Sequence, residues 1–197
     1  MALGKQAKIL NDKQVRAVLA EVDSRRYPLR DRTMVMLSLK AGLRAVEIAS
    51  ITWAMVTDAE GAVGDVIALQ NRASKGKGGG RIIPMHPDLK TALVAHHKER
   101  GVKVRPDWPI IHSERDDGLS AAAVAVWFHR LYTGLGMVGC SSHSGRRSFV
   151  TRAARRISEV GGSLRDVQML AGHASLSTTA KYIEHHADAQ RKVVALI

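Results

Sequence analysis

The sequence predicts a mainly α-helical domain with one small antiparallel β-sheet set early in the chain, an α+β fold. Three observations predict it. Most of the 197 residues fall into segments with helical apolar spacing, each opened or closed by a recognisable cap. One stretch, residues 63–85, changes to the period of two expected of strands. Strands never alternate with helices, which argues against a doubly wound nucleotide-binding fold.

Asn11 or Asp12 caps a first helix on which Val15, Val18, Leu19 and Val22 share one face. Pro28 breaks the chain. The run RDRTMVMLSLKAG is a second helix, nearly apolar through its middle and stopped at Gly42, and a short helix follows across RAVEIAS. VGDVIALQ and RIIPM are two strands joined by NRASKGKGGG, whose glycines and lysines make a flexible hairpin tip. Pro87 stands in a first helical turn and Gly101 closes that helix. Ser120 caps AAAVAVWFHRLY, and another helix runs from Ser144 to about Ile157. Ser163 caps LRDVQMLA, which ends at Gly172. Ser175 or Ser177 starts a helix carrying Tyr182, and residues 187–197 form a short tail helix.

Composition narrows the function classes. Apolar residues make up 45% of the chain, enough for a sizeable core. No run approaches the roughly 20 apolar residues of a membrane span, and the first residues have no signal-peptide pattern. The single cysteine, Cys140, excludes an internal disulfide and a multi-thiolate zinc site, and fits a cytoplasmic setting. Lys and Arg total 30 against 18 Asp and Glu, a formal charge of +12 that suits a polyanion such as nucleic acid. The Gly-rich loop lacks the G-x-x-x-x-G-K-[ST] order of an ATP site. The acids of SERDDG read as a turn ahead of the Ser120 cap. No metal and no cofactor is expected.

Scattered along the chain stand Arg44, Lys75, His143, Arg146, His173 and Tyr182. These are cations, imidazoles and one phenol, without a carboxylate pair. Attack on a phosphodiester needs such a set. Two guanidiniums clamp the non-bridging oxygens with forked hydrogen bonds. A tyrosine serves as covalent nucleophile, an imidazole takes its proton, and a lysine protonates the leaving oxygen. Each residue also has a plain structural reading: Arg44 as an ion pair with Glu47, Lys75 as a solvated tip, His143 as a helix cap, His173 as a C-terminal cap, Tyr182 as packing.

The pieces together resemble the tyrosine recombinases, or phage integrases. GLRAVEI resembles the first arginine box, with Arg44 as its arginine. HSGRRSF resembles the H-x-x-R box, with His143 and Arg146. In LAGHASLSTTAKYIEH the tyrosine follows the histidine by nine residues, as in the terminal box, and Gln168 stands where the family often has glutamine. SKGKGGGRIIPMH resembles the hairpin that carries the family's lysine, either Lys75 or Lys77, with Lys75 favoured. Arg147 stands where histidine is usual, and Gly145 where leucine is.

The resemblance implies the catalytic-domain fold of that family and site-specific DNA strand cleavage and transfer through a 3′-phosphotyrosyl link, without metal or ATP. It makes Tyr182 the nucleophile, His143 the proton acceptor, Lys75 the proton donor, and Arg44, Arg146 and His173 the stabilisers of the transition state. Lys77, Arg81, Arg147, Arg152 and Lys181 are expected DNA contacts. The expected partner is double-stranded DNA, bound by a protein that is monomeric in solution and dimeric or tetrameric on its site. The usual N-terminal clamping domain is expected to be absent, with residues 1–197 forming one catalytic domain. A DNA-binding regulator that keeps the fold without chemistry, and a relaxase of the type IB topoisomerase kind, are the competing readings.

Overall fold

The run of apolar residues in the second helix has no polar face, so it can only lie inside the protein. In the computed structural model, which describes residues 6–70, 80–101, 104–115 and 117–182, that helix is the spine. Helix α2 (Pro28–Lys40) has every residue from Thr33 to Leu39 buried. It packs against helix α1 (Asp12–Asp23), helix α4 (Pro87–Arg100) and helix α6 (Ser144–Arg156). Each wholly buried Met or Leu on it contributes about 1.5–3 kcal/mol by leaving water. Pro28 stands at the break between α1 and α2. It occupies the first helical position, where its missing N–H costs nothing.

Helix α1 is capped by Asn11, whose side chain accepts from Gln14 N while Gln14 reaches back to the Asn11 N–H. Val18 and Val22 are its buried residues. After α2 the chain turns at Gly42, whose φ of +64° is open to glycine at little cost. Helix α3 (Ala45–Ser50) follows and packs against helix α5 (Ala121–Gly134). Strands β1 (Val66–Leu69) and β2 (Arg81–Pro84) pair antiparallel, with Ile67 opposite Ile83. Ile67, Leu69 and Ile83 point into the core, while Val66, Ala68, Ile82 and Pro84 face outward.

Ser120 caps α5, and Ser163 with Asp166 closes a capping box on helix α7 (Leu164–Ala171). Helix α6 tightens into a 3₁₀ turn over Ile157–Val160. Ser175 caps helix α8 (Leu176–Ala180), which is shorter than the sequence suggests. Tyr182 lies in the turn beyond it. At the acidic run Ser113 N donates to Asp117 O, and His112 bridges to Gly118. The hairpin tip with Lys75 and Lys77, and the tail at 187–197, lie outside the described residues.

Two clusters hold these pieces. The main core runs from Leu10 to Cys140. A smaller one joins Val150 of α6 to Val167 and Ala171 of α7, with Tyr182 packed on it. That second cluster fixes the C-terminal segment over the start of α6. Among the described residues no helix is long and apolar enough to cross a membrane.

Candidate active site

Three chain segments meet at one cleft: the turn into α3, the first turn of α6, and the segment 172–182. The cleft has a volume of about 310 Å³ and is lined by Arg44, His143, Arg146, His173 and Tyr182, with Arg147, Lys181 and Thr178 beside them. Gln6 and Ala7 complete the lining. Apart from Lys75, every residue expected to do chemistry is therefore in one place.

Arg146 is buried, 4% exposed. Its Nη1 donates to Gly42 O and its Nη2 to Ala171 O, both at 2.6 Å. Burial, and then the charge of Arg44, pull its guanidinium down to about 10, so it stays a cation at neutral pH. Gly145 lets this helix come so close. A Cβ there would overlap Ser38 Oγ, and would lie 2.9 Å from Ser38 Cβ and 3.2 Å from its backbone carbon. A leucine at this position has no space.

Arg44 sits just before α3, where its backbone N–H donates to Glu47 Oε2 at 2.8 Å. Its Nη1 donates to Glu47 Oε1 at 3.0 Å and its Nη2 reaches Gly172 O at 3.3 Å. Glu47 is wholly buried and also takes Arg81, Nη1 on Oε1 at 2.8 Å and Nη2 on Oε2 at 3.1 Å. Burial raises the Glu47 carboxyl, but the hydrogen bonds and charges of Arg81 and Arg44 outweigh it and leave the group below the usual carboxylate range. The pairing of Arg44 with Glu47 and its place in the cleft thus coexist.

Arg81 has partners within the protein. It was expected on DNA, yet its guanidinium is turned inward onto Glu47, and its Nε donates to Leu170 O at 3.1 Å. It also lies under Gly172, where a Cβ would come 2.7 Å from Arg81 Nη1 and where φ is +61°. Both constraints call for glycine at 172.

His173 follows that glycine and is 8% exposed. Its backbone N–H donates to Gln168 O, and Gln168 Nε2 donates back to His173 O at 2.9 Å. The ring nitrogen Nδ1 lies 2.9 Å from Thr179 Oγ1. Burial, with the charges of Arg146, Arg44 and Arg81, pulls the imidazole down to about 4, so it is neutral at pH 7. Its ring stacks on Tyr182, centroids 5.6 Å apart and planes 18° off parallel. Tyr182 is half-buried and its N–H donates to Thr179 O. His143 is exposed at the start of α6 and makes no side-chain cap.

Of the other expected DNA contacts, Lys181 is exposed at the cleft. Arg147 donates to Ala7 O at 2.9 Å, and Arg152 to Leu10 O and to Asp12. With Lys8 N on Gly139 O and Leu10 N on Ser148 Oγ, they hold residues 7–10 against α6 and the loop before it. Thr179 escaped the sequence reading altogether. Among the described residues no group of three or more His, Cys, Asp or Glu is placed to hold a metal.

Two guanidiniums, a neutral imidazole and a phenol around one cleft are equipped to bind a tetrahedral anion and to attack it. Comparisons with known proteins bear on the family and the fold. The profile described as the phage integrase family matches residues 8–189. The tyrosine recombinase XerC of Rhizobium meliloti (strain 1021) is 31% identical over 180 residues, covering 89% of this chain and 53% of the relative. The tyrosine recombinase XerD of Pseudomonas aeruginosa is 32% identical over 184 residues, covering 89% and 56%. The chain thus spans about half the length of the curated relatives it matches. Among solved structures, the XerA recombinase superposes with a TM-score of 0.72 at 22% identity, covering 97% of this chain and 65% of the other. The Tn1549 transposon integrase in complex with a circular intermediate DNA gives 0.76 at 18% identity, covering 99% and 67%. These likenesses establish the fold.

Proposed function

The chain belongs to the phage integrase family, and from that membership we propose that it is a tyrosine-type site-specific DNA recombinase, which cuts and rejoins strands through a 3′-phosphotyrosyl intermediate. One observation carries the reading: Arg44, Arg146, His173 and Tyr182, drawn from both ends of the sequence, line a single cleft. Relatives named as tyrosine recombinases support it.

Tyr182 Oη attacks the phosphorus of a DNA phosphodiester, and the bond to the 5′-oxygen breaks. The phenol proton passes to His143, which stands exposed at the cleft. Lys75, or Lys77 from the same hairpin, gives the departing 5′-oxygen its proton. Arg44, Arg146 and His173 donate hydrogen bonds to the non-bridging oxygens as charge builds on them. The 5′-hydroxyl of another strand then reverses the steps, so the bond energy is kept. The partner is double-stranded DNA, on which copies of the chain assemble. Lys181 at the cleft and the formal charge of +12 favour that polyanion, and binding weakens steeply with salt.

The test is a covalent adduct. The protein is incubated in EDTA with a pool of randomised-sequence duplexes, each carrying a nick that prevents religation, and DNA retained on denatured protein is sequenced. Adduct with the wild-type protein and none with Tyr182→Phe is the expected result. Adduct persisting in Tyr182→Phe removes that residue as nucleophile, and none from either protein supports a binding role alone.

A further inference from the structure

Four hydroxyl side chains crowd the segment before Tyr182, and one differs from the rest. Ser175, Ser177 and Thr178 are exposed and bond to one another. Thr179 is 0% exposed. Its Oγ1 lies 2.9 Å from His173 Nδ1, and among the described residues the hydroxyl has no other partner. A threonine in a helix commonly returns its proton to the carbonyl four residues back; no such bond to Ser175 O is made.

The direction of the contact follows from satisfaction. If Nδ1 carried the proton and donated to Oγ1, the hydroxyl hydrogen of Thr179 would be buried with nothing to receive it, which is costly. If Nδ1 accepts, the hydroxyl is satisfied and the imidazole proton must sit on Nε2. Among the described residues Nε2 has no hydrogen-bond partner, and His173 lines the cleft. We propose that Thr179 is a positioning residue: its hydroxyl donates to Nδ1 of His173, fixes the imidazole as the Nε2–H tautomer, and so presents a hydrogen-bond donor to the anion held by Arg44 and Arg146. The inference rests on the recombinase reading for its consequence in catalysis, but not for the tautomer itself. Because burial and the neighbouring guanidiniums keep the ring uncharged, the tautomer and not the charge decides whether His173 donates.

Two substitutions separate the hydroxyl from the methyl group. Thr179→Val keeps the shape and removes the hydroxyl; Thr179→Ser keeps the hydroxyl. Nitrogen NMR of the full chain labelled at histidine reads the tautomer without any substrate. The wild-type protein and Thr179→Ser should show His173 protonated on Nε2, and Thr179→Val a mixture of tautomers. In the adduct assay Thr179→Val should form the covalent complex about tenfold more slowly, the scale of one ordinary hydrogen bond, with Thr179→Ser close to wild type. A wild-type proton on Nδ1, or Thr179→Ser impaired while Thr179→Val is not, overturns the proposal. If the wild-type protein forms no adduct, the recombinase reading falls, and the nitrogen shifts still decide the role of the hydroxyl.

Discussion

Arg81 grips Glu47 through two parallel hydrogen bonds, at 2.8 and 3.1 Å, and the same carboxylate orients Arg44. One buried acid therefore sets the direction of a guanidinium in the cleft, and a residue of β2 keeps that acid ionised. The stem of the hairpin and the arginine box are linked through a single side chain.

Replacing Arg81 by glutamine should leave Glu47 with half its partners. The expected loss is on the order of 3 kcal/mol in urea unfolding, since breaking a buried pair strands a charge. Adduct formation should fall as well. The salt dependence of DNA binding should keep its slope, whereas removing a phosphate contact lowers that slope by about one. A reduced slope would return Arg81 to the DNA surface.

Gly145→Ala tests the close approach of α2 and α6. In an exposed helix this change gains about 1 kcal/mol of propensity. Here the new Cβ meets the Oγ, Cβ and backbone carbon of Ser38. We expect a loss of about 2 kcal/mol, typical of an overfilled interior. A urea midpoint that rises instead would show that the two helices stand further apart.

Acid should weaken the protein through His96. This residue is 0% exposed, stacks on His112 and meets Trp53 edge-on, and among the described residues neither ring nitrogen has a hydrogen-bond partner. Burial first, then the charges of His112 and Arg100, pull its imidazole from 6.5 down to about 3. Between those values the unfolded chain takes up a proton that the folded chain refuses, so stability falls as pH drops below about 6.5. At pH 5 the effect is about 2 kcal/mol. His96→Phe should shrink the drop in stability from pH 7 to pH 5 by that amount. An unchanged drop would mean that His96 is not held neutral.

Much of this was legible in the sequence because the signals are local. The Asn11 cap needs only Gln14 three residues on, and Ser163 needs only Asp166. The residues of the cleft were legible through type and order, most plainly His173 and Tyr182. What was not legible depends on contacts far apart in the chain. Arg81 is a basic residue beside a lysine-rich loop and reads as a DNA contact; only the fold brings Glu47, 34 positions away, against it. The inward ties of Arg147 and Arg152 span 140 and 142 positions. Thr179 looks like its three hydroxylated neighbours until burial separates it. Pro28 was legible as a break but not as the first residue of the next helix, since a proline that ends one helix and one that begins another carry the same letter.

The two carbonyls held by Arg146 lie 104 residues upstream and 25 downstream of it. A ribosome making this chain releases the first carbonyl long before the arginine, and the second later still. Closing so long a loop is entropically costly until its contacts exist. Tyr182 is translated after every other residue that lines the cleft, so a growing polypeptide carries the arginines and imidazoles before it carries the phenol they surround.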